Sequence, residues 1–126
     1  MKRHVVSTES APAAIGPYSQ AAVYGNLVFC AGQIPLDPGT DQLVEGDIVT
    51  QARRVIDNIE AVLAAAGSSL EKVLKLEVFL IDLADFPEVN SYLAGIFTSD
   101  PPARVTIGVS ALPMGANIEM AATAAI

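Results

Sequence analysis

The chain of 126 residues contains no tryptophan, one cysteine and one histidine. Because Cys30 stands alone, no intramolecular disulfide can form, and its apolar neighbours indicate a small buried side chain rather than a reactive thiol. His4 lies in a polar N-terminal segment, which argues against a histidine-based metal site and against a Ser-His-Asp arrangement. We therefore expect no metal site.

Positive charge is also scarce. Seven Lys and Arg residues stand against 14 Asp and Glu residues, which gives a net charge of −7. Proteins bind the phosphate backbone mainly by neutralising it with cations, so this balance argues against nucleic acid as a general partner.

Long apolar runs are missing: none approaches the ~18 residues of a membrane-spanning helix, and the N-terminus has no apolar signal region. We expect a cytoplasmic protein with no membrane partner. Hydrophobic residues nevertheless make up 52% of the chain and charged residues 17%, which is typical of a folded protein with a large core. The length is that of one ordinary domain, and we assign residues 1–126 to it.

Hydrophobic periodicity predicts an α+β order of elements. The two-residue turn Gly25-Asn26 indicates a hairpin, Asp47 and Gly67 bound a long amphipathic helix, and a capping box formed by Asp85 and Glu88 begins a second helix. Alternation within the strand over 72–81 puts Leu74, Leu76, Val78 and Leu80 on one apolar face and Val73 on the other. The predicted strands are 19–24, 27–31, 72–81, 103–110 and 117–125, and the predicted helices begin at Asp47 and Asp85.

Two isolated charges, Arg104 and Glu119, stand out because each lies in an apolar, strand-like segment. An ionised side chain there is costly unless a partner or a solvated site compensates it, so both are candidates for a binding site. Alternation along each strand suggests that they share one polar face of the sheet, which meets a second subunit. The alternative is an ordinary ion pair between them, contributing about 0–1 kcal/mol if exposed.

Several short motifs occur in order along almost the whole chain. They are APAAIGPYSQ at 11–20, GQIP at 32–35, QAR at 51–53 with DNI at 57–59, DF at 85–86 with VN at 89–90, and PAR at 102–104 with IEM at 118–120. Together these motifs resemble the Rid family of reactive intermediate deaminases, typified by RidA and also called YjgF-like proteins.

The resemblance implies a chorismate-mutase-like (ferredoxin-like) α+β subunit. Its sheet would have about six mostly antiparallel strands with two helices on one face. The resemblance also implies a homotrimer, in which the sheets line a central barrel and three sites lie in the clefts between subunits.

By the same resemblance, the protein hydrolyses 2-enamine and 2-imine acids such as 2-aminoacrylate and 2-iminobutanoate to 2-keto acids and ammonia, with no cofactor. Arg104 would hold the substrate carboxylate with its planar fork, and Glu119 would orient or deprotonate a water as general base. The carbonyl of Thr106 would accept a hydrogen bond from the substrate nitrogen. The residues expected to line the cleft are Tyr18, Ala31, Gly32, Asn90 and Thr106.

Three features depart from the best-known family pattern. Ala31 stands where a serine is common, Thr106 stands where a cysteine is common, and the connection between Asn90 and Arg104 is shorter. All three touch the expected cleft, so they bear on substrate preference.

Two other functions stay open at this point. A non-catalytic protein would use the same cleft to bind or sense a small carboxylate such as a 2-keto acid, with Arg104 as its anchor. Family members are also described as ribonucleases or translation inhibitors, or as chaperone-like proteins, although the acidic charge argues against an RNA enzyme.

Overall fold

The structure, a computed structural model, describes all residues 1–126 as eight strands and two α-helices. No helix has both the length and the apolar character that a membrane crossing requires. The strands are β1 (His4–Val6), β2 (Ala21–Tyr24), β3 (Leu27–Gln33), β4 (Leu36–Asp37), β5 (Gln42–Leu43), β6 (Val73–Leu80), β7 (Ala103–Gly108) and β8 (Ile118–Ala125). The helices are α1 (Ile48–Ala65) and α2 (Phe86–Ile96).

Six of the strands form one sheet in the order β1-β2-β3-β8-β6-β7. The strands β4 and β5, of two residues each, form a separate two-stranded sheet. All neighbours in the large sheet are antiparallel except β6 and β7, which are parallel and joined through α2. A parallel pair needs such a crossover because a tight hairpin reverses the chain direction. The α+β prediction of about six mostly antiparallel strands with two helices is confirmed.

The core lies between one face of the sheet and the apolar stripe of α1. Asp47 begins this helix as predicted, because its Oδ1 accepts a hydrogen bond from the Thr50 amide at 2.8 Å. Gly67, at φ 82°, follows its end, as expected of a helix stop. The buried residues of α1 include Ala52, Val55, Ile56, Ile59, Val62 and Leu63, and those of β8 are Ile118, Met120, Ala122 and Ala124.

A β-bulge in β6 overturns one prediction about that strand. Val73 pairs with Ala124 and Lys75 with Thr123, so Leu74 is an extra residue in the ladder. As a result Val73 is buried, whereas Leu74 is half exposed. The prediction that put Leu74 on the apolar face and Val73 opposite was wrong, because strict alternation assumes a strand without a bulge.

The register around β6 places Arg104 and Glu119 on opposite faces of the sheet. Arg104 pairs with Leu76, which is buried beneath the helices, whereas Glu119 pairs with Phe79, which faces the open side. Paired residues in a ladder point to the same side, so each charge takes the face of its partner. The prediction of a shared polar face was therefore wrong. Their partners are three residues apart along β6, roughly 10 Å at strand spacing, so the two charges do not form an ion pair within one subunit.

Two smaller details also differ from the sequence reading. β1 extends the sheet by pairing with β2 from His4 to Val6, in a segment that was not predicted to be a strand. At the second helix Asp85 makes no capping bond, so the predicted capping box does not form there. Instead, Asp82 accepts from the Ala84 amide at 2.9 Å and begins a short 3₁₀ turn that leads into α2.

Candidate functional site

The seven residues predicted to line one cleft form two groups in this chain. Tyr18, Ala31, Gly32 and Glu119 line a cavity of about 360 Å³. The other three, Arg104, Asn90 and Thr106, border two depressions beside α2. No cavity contains both charges, so the chain carries two half-sites. We call them the glutamate half and the arginine half.

Glu119 lies directly over Gly32 in the glutamate half. The ladder between β3 and β8 shifts register between Cys30 and Gln33, and Gly32 sits in that irregular stretch. A Cβ built on Gly32 would overlap the Glu119 carboxylate. Glycine therefore leaves the space that the carboxylate occupies.

Burial raises the pKa of the half-buried Glu119 carboxyl above its usual value. Partial removal from water disfavours the charged form, and this is the only cause that contributes. A carboxylate with a raised pKa is a stronger base near neutral pH than an exposed one. The environment thus suits Glu119 to accept a proton from a water.

One wall of the glutamate half is the N-terminal segment that carries Tyr18, and the buried Gln20 holds it in place. The Gln20 Nε2 donates to the carbonyls of Pro12 at 2.8 Å and Thr8 at 3.0 Å, and its Oε1 accepts from the Thr8 amide at 2.7 Å. The Tyr18 hydroxyl in turn accepts from the Ile15 amide at 3.3 Å. These bonds fix the Tyr18 ring at the rim of the cavity.

The opposite wall, at Ile34 and Leu36, is held by the fully buried Asn58 of α1. Asn58 Nδ2 donates to the carbonyls of Leu36 at 2.9 Å and Ile34 at 3.3 Å, while its Oδ1 accepts from Arg54 Nη2 at 2.9 Å. Every strong hydrogen-bonding group of this buried amide has a partner, which is the condition for its burial. The DNI motif thus fixes a wall of the cavity from behind.

The arginine half is built on the edge strand β7 and the first turns of α2. Arg104 is exposed, and its guanidinium carbon lies 5.4 Å from the centroid of the Phe86 ring, a cation–π distance. Asn90 lies one helical turn beyond Phe86 and borders the same depression as Arg104. Thr106 Oγ1 is the one buried side-chain polar atom without a hydrogen-bond partner. The guanidinium of Arg104 thus lies between two depressions, with the Asn90 amide in one and Thr106 in the other, and it suits a carboxylate.

Sequence reasoning missed three residues that shape the half-sites. Phe86 was noted as part of the DF motif, but it packs against the core and also lies beneath the Arg104 guanidinium. Gln20 was noted only as the end of a motif, but its amide anchors the N-terminal segment. Met114, at φ 58°, lines the glutamate half beside Pro113. The Pro-Met-Gly sequence around it signalled only a turn.

Comparison with known proteins identifies the family. A family model described as Endoribonuclease L-PSP matches residues 8–126. A RutC family protein of Pyrococcus abyssi is 51% identical over 124 residues, which are 98% of each chain. The chain belongs to the RidA/YjgF family.

A second RidA/YjgF relative carries an activity in its name. The 2-iminobutanoate/2-iminopropanoate deaminase of Capra hircus is 43% identical over 122 residues, covering 97% of this chain and 89% of the relative. The crystal structure of the Rid-family protein YyfA of Yersinia pestis, whose function is described as unknown, superposes with a TM-score of 0.96. It is 42% identical and covers 99% of this chain and 100% of that one. The α+β subunit fold predicted from the motifs is therefore confirmed, and the trimeric barrel stays a prediction.

Replacing Gly32 tests whether the Glu119 carboxylate occupies the space described. Gly32→Ala should cost roughly 1–3 kcal/mol of unfolding free energy, as overpacking does. It should also lower the pKa of the Glu119 carboxyl, since the displaced group moves towards water. Denaturant unfolding and carbon-detected NMR titration measure the two effects.

Gly95→Ala is the matched control, because nothing lies within 4 Å of a Cβ at Gly95 in α2. Alanine favours helix over glycine, so this variant should gain up to about 1 kcal/mol and leave the pKa of Glu119 unchanged. Equal stability and an equal Glu119 pKa in wild type and Gly32→Ala would contradict the placement of the carboxylate.

Proposed function

We propose that this RidA/YjgF-family protein hydrolyses 2-imino acids and their enamine tautomers to 2-keto acids and ammonia. The reaction would take place in the cytoplasm, in clefts between neighbouring subunits of a homotrimer. The observation that carries the proposal is the pair of half-sites: an exposed arginine on one face of the sheet and a half-buried carboxylate on the other. The deaminase name of the Capra hircus relative supports the reaction class.

The reaction needs no oxidant or reductant, because the substrate already contains the C=N bond. A water oxygen adds to the imine carbon, and the electron pair of the C=N bond moves to the nitrogen. Glu119 takes one proton from that water and passes it to the nitrogen, and the second proton of the water reaches the nitrogen from the carbinolamine hydroxyl as the C=O bond forms. The C–N bond then breaks, the C=O bond forms and ammonia leaves. The protein supplies position and a base, which together can account for a large rate gain.

Arg104 holds the substrate carboxylate in this proposal. Its guanidinium presents paired donors that match the two carboxylate oxygens, and its stacking on Phe86 fixes the plane of the fork. Asn90 offers a further donor beside it. In this proposal the carbonyl of Thr106 accepts a hydrogen bond from the substrate nitrogen.

The two halves must come from different subunits, since one chain carries them on opposite faces. β7 is an edge strand, and its free edge offers backbone groups to a neighbouring copy. The open face of the sheet exposes Phe29, Val105 and Ile107, whose burial would stabilise such an assembly. An arginine half that meets the glutamate half of the next copy makes a head-to-tail interface, and such an interface forms a ring when the rotation between copies closes. We propose a ring of three.

A non-catalytic role is the second candidate. One subunit by itself contains the complete carboxylate-binding group of the arginine half, which would be enough to bind a 2-keto acid. Saturable binding of 2-keto acids with no turnover of any imine would favour this role. The family model's description as an endoribonuclease gains no support from a net charge of −7, and intact RNA after incubation at low salt with nuclease-free protein would close that option.

Variants of Arg104 test the carboxylate clamp. A serine or threonine dehydratase supplies the imine, and the rate of keto-acid formation above the spontaneous rate measures the activity. Arg104→Ala should lower kcat/KM by about 10² or more, as expected for loss of a charged bidentate contact. The kcat/KM of Arg104→Lys should lie between those of wild type and Arg104→Ala, because lysine keeps the positive charge but lacks the planar pair of donors.

Arg53→Ala is the matched control for these variants. Arg53 lies 5.8 Å from the centroid of the Tyr92 ring on the outer side of the helices, away from both half-sites. This variant should keep wild-type activity. Indistinguishable rates in wild type and Arg104→Ala would end the proposal.

The pH dependence of the reaction tests Glu119 as the base. The ionised carboxylate is the active form, so kcat/KM should fall as the pH decreases through the pKa of Glu119. Because burial raises that pKa, the fall should begin above the usual range of a glutamate. Glu119→Gln should remove this acid limb along with most of the activity. An identical pH profile in wild type and Glu119→Gln, after subtraction of spontaneous hydrolysis, would exclude Glu119 as the base.

A further inference from the structure

A cavity of about 440 Å³ lies beside Arg104, between the sheet and the C-terminal half of α2. Leu76 and Leu93, both buried, form its floor. The connection over 97–102 forms its outer wall through Phe97, Pro101 and Pro102. The hydrolysis steps above use only its rim, where Arg104 and Asn90 hold the substrate carboxylate, and give the rest of this space no role.

We propose that this cavity receives the substrate's side chain, and that the preferred substrates are 2-imino acids with aliphatic side chains of about four carbons. This inference rests on the proposed function and makes it more specific. In this inference, Ala94 and the connection over 97–102 determine which imines are preferred. They take no part in the chemical steps.

The position of Arg104 between two depressions leads to this assignment. The larger cavity borders Arg104 on one side, and a shallower depression with Leu83, Phe86 and Thr106 borders it on the other. In a 2-imino acid the carbon next to the carboxylate carries only the nitrogen and the side chain. With the carboxylate on Arg104, the nitrogen can lie toward the polar Thr106 and the side chain toward the apolar floor.

The lining of the cavity defines the class of side chain. Arg104 is its only charged residue, and its guanidinium is already paired with the substrate carboxylate. Asn90 and Thr98 are polar, whereas the floor is aliphatic, so a charged side chain would lose its hydration without gaining a partner. An aliphatic chain would gain from burial instead.

The size of the cavity matches more than a methyl or ethyl group. Small-molecule sites range from about 300 to 1,000 Å³, and about 150 Å³ is enough to hold a benzene ring. The methyl group of the alanine-derived imine would leave most of 440 Å³ unfilled. Two adjacent prolines, Pro101 and Pro102, also restrict the backbone of the outer wall.

A series of imines with aliphatic side chains of one to four carbons tests the inference. An amino-acid oxidase with catalase generates the imines in situ from alanine, 2-aminobutyrate, norvaline, norleucine and leucine, and keto-acid formation is followed with and without the protein. We expect kcat/KM to rise about fourfold for each added methylene, up to the four-carbon chains. Ala94→Phe places a ring at the exposed lip of the cavity and should lower the leucine-to-alanine ratio of kcat/KM at least about tenfold.

Ala65→Phe is the matched control, since Ala65 is an exposed alanine of α1 that does not line the cavity. It should keep the wild-type ratio. A flat series in wild type would overturn the inference while leaving the proposed function in place, and so would a ratio unchanged by Ala94→Phe.

Binding of the product 2-keto acids gives a readout that does not depend on turnover. Calorimetry should show the leucine-derived keto acid binding more tightly than pyruvate, and Ala94→Phe should remove the difference. Equal binding of the two acids by wild type would overturn the side-chain assignment even if no imine were hydrolysed. Failure to hydrolyse every imine, with the binding preference intact, would reject the proposed function and keep the cavity assignment.

Discussion

The pairing of β6 with its two neighbours determines which charged groups can share a site. β7 joins β6 in parallel with Arg104 beside the buried Leu76, and β8 joins it antiparallel with Glu119 beside Phe79. A shift of one residue in either register would move Arg104 or Glu119 to the other face of the sheet. The hydrophobic core prevents that shift, because alternate residues of β8 and β6 are buried against the helices. The separation of the two charges thus follows from the same packing that stabilises the fold.

Each half-site is prepared in a different way. Glu119 is held in a cavity whose walls are fixed by two buried amides, Gln20 and Asn58, which satisfy loop carbonyls without adding charge. Because position 32 is a glycine, no side chain fills the space that the Glu119 carboxylate occupies. Arg104, in contrast, stands at the sheet edge on an aromatic ring and is open to a ligand. Glu119 is thus partly removed from water whereas Arg104 is exposed, which suits the proton acceptor and the anion-binding group proposed for them.

Much of this could be predicted from the sequence, and the limits have physical causes. Helix boundaries followed from local signals, such as the capping Asp47 and Gly67, and the motifs identified the family. The common face of Arg104 and Glu119 could not be predicted correctly. Alternation gives the faces within a strand but not the phase between strands that are distant in sequence. The bulge at Leu74 could not be predicted for the same reason, because a bulge is defined only by the pairing with the neighbouring strand. The roles proposed for the seven predicted site residues stay predictions.

The central claim is that one site takes Arg104 from one subunit and Glu119 from the next, and subunit mixing tests it most directly. Arg104→Ala and Glu119→Gln proteins, each inactive alone, are co-expressed in equal amounts and purified as mixed assemblies. In a head-to-tail trimer, every mixed ring contains one site with both native residues, so random assembly should restore about a quarter of wild-type activity. Mixed assemblies with no more activity than the separate variants would contradict the account.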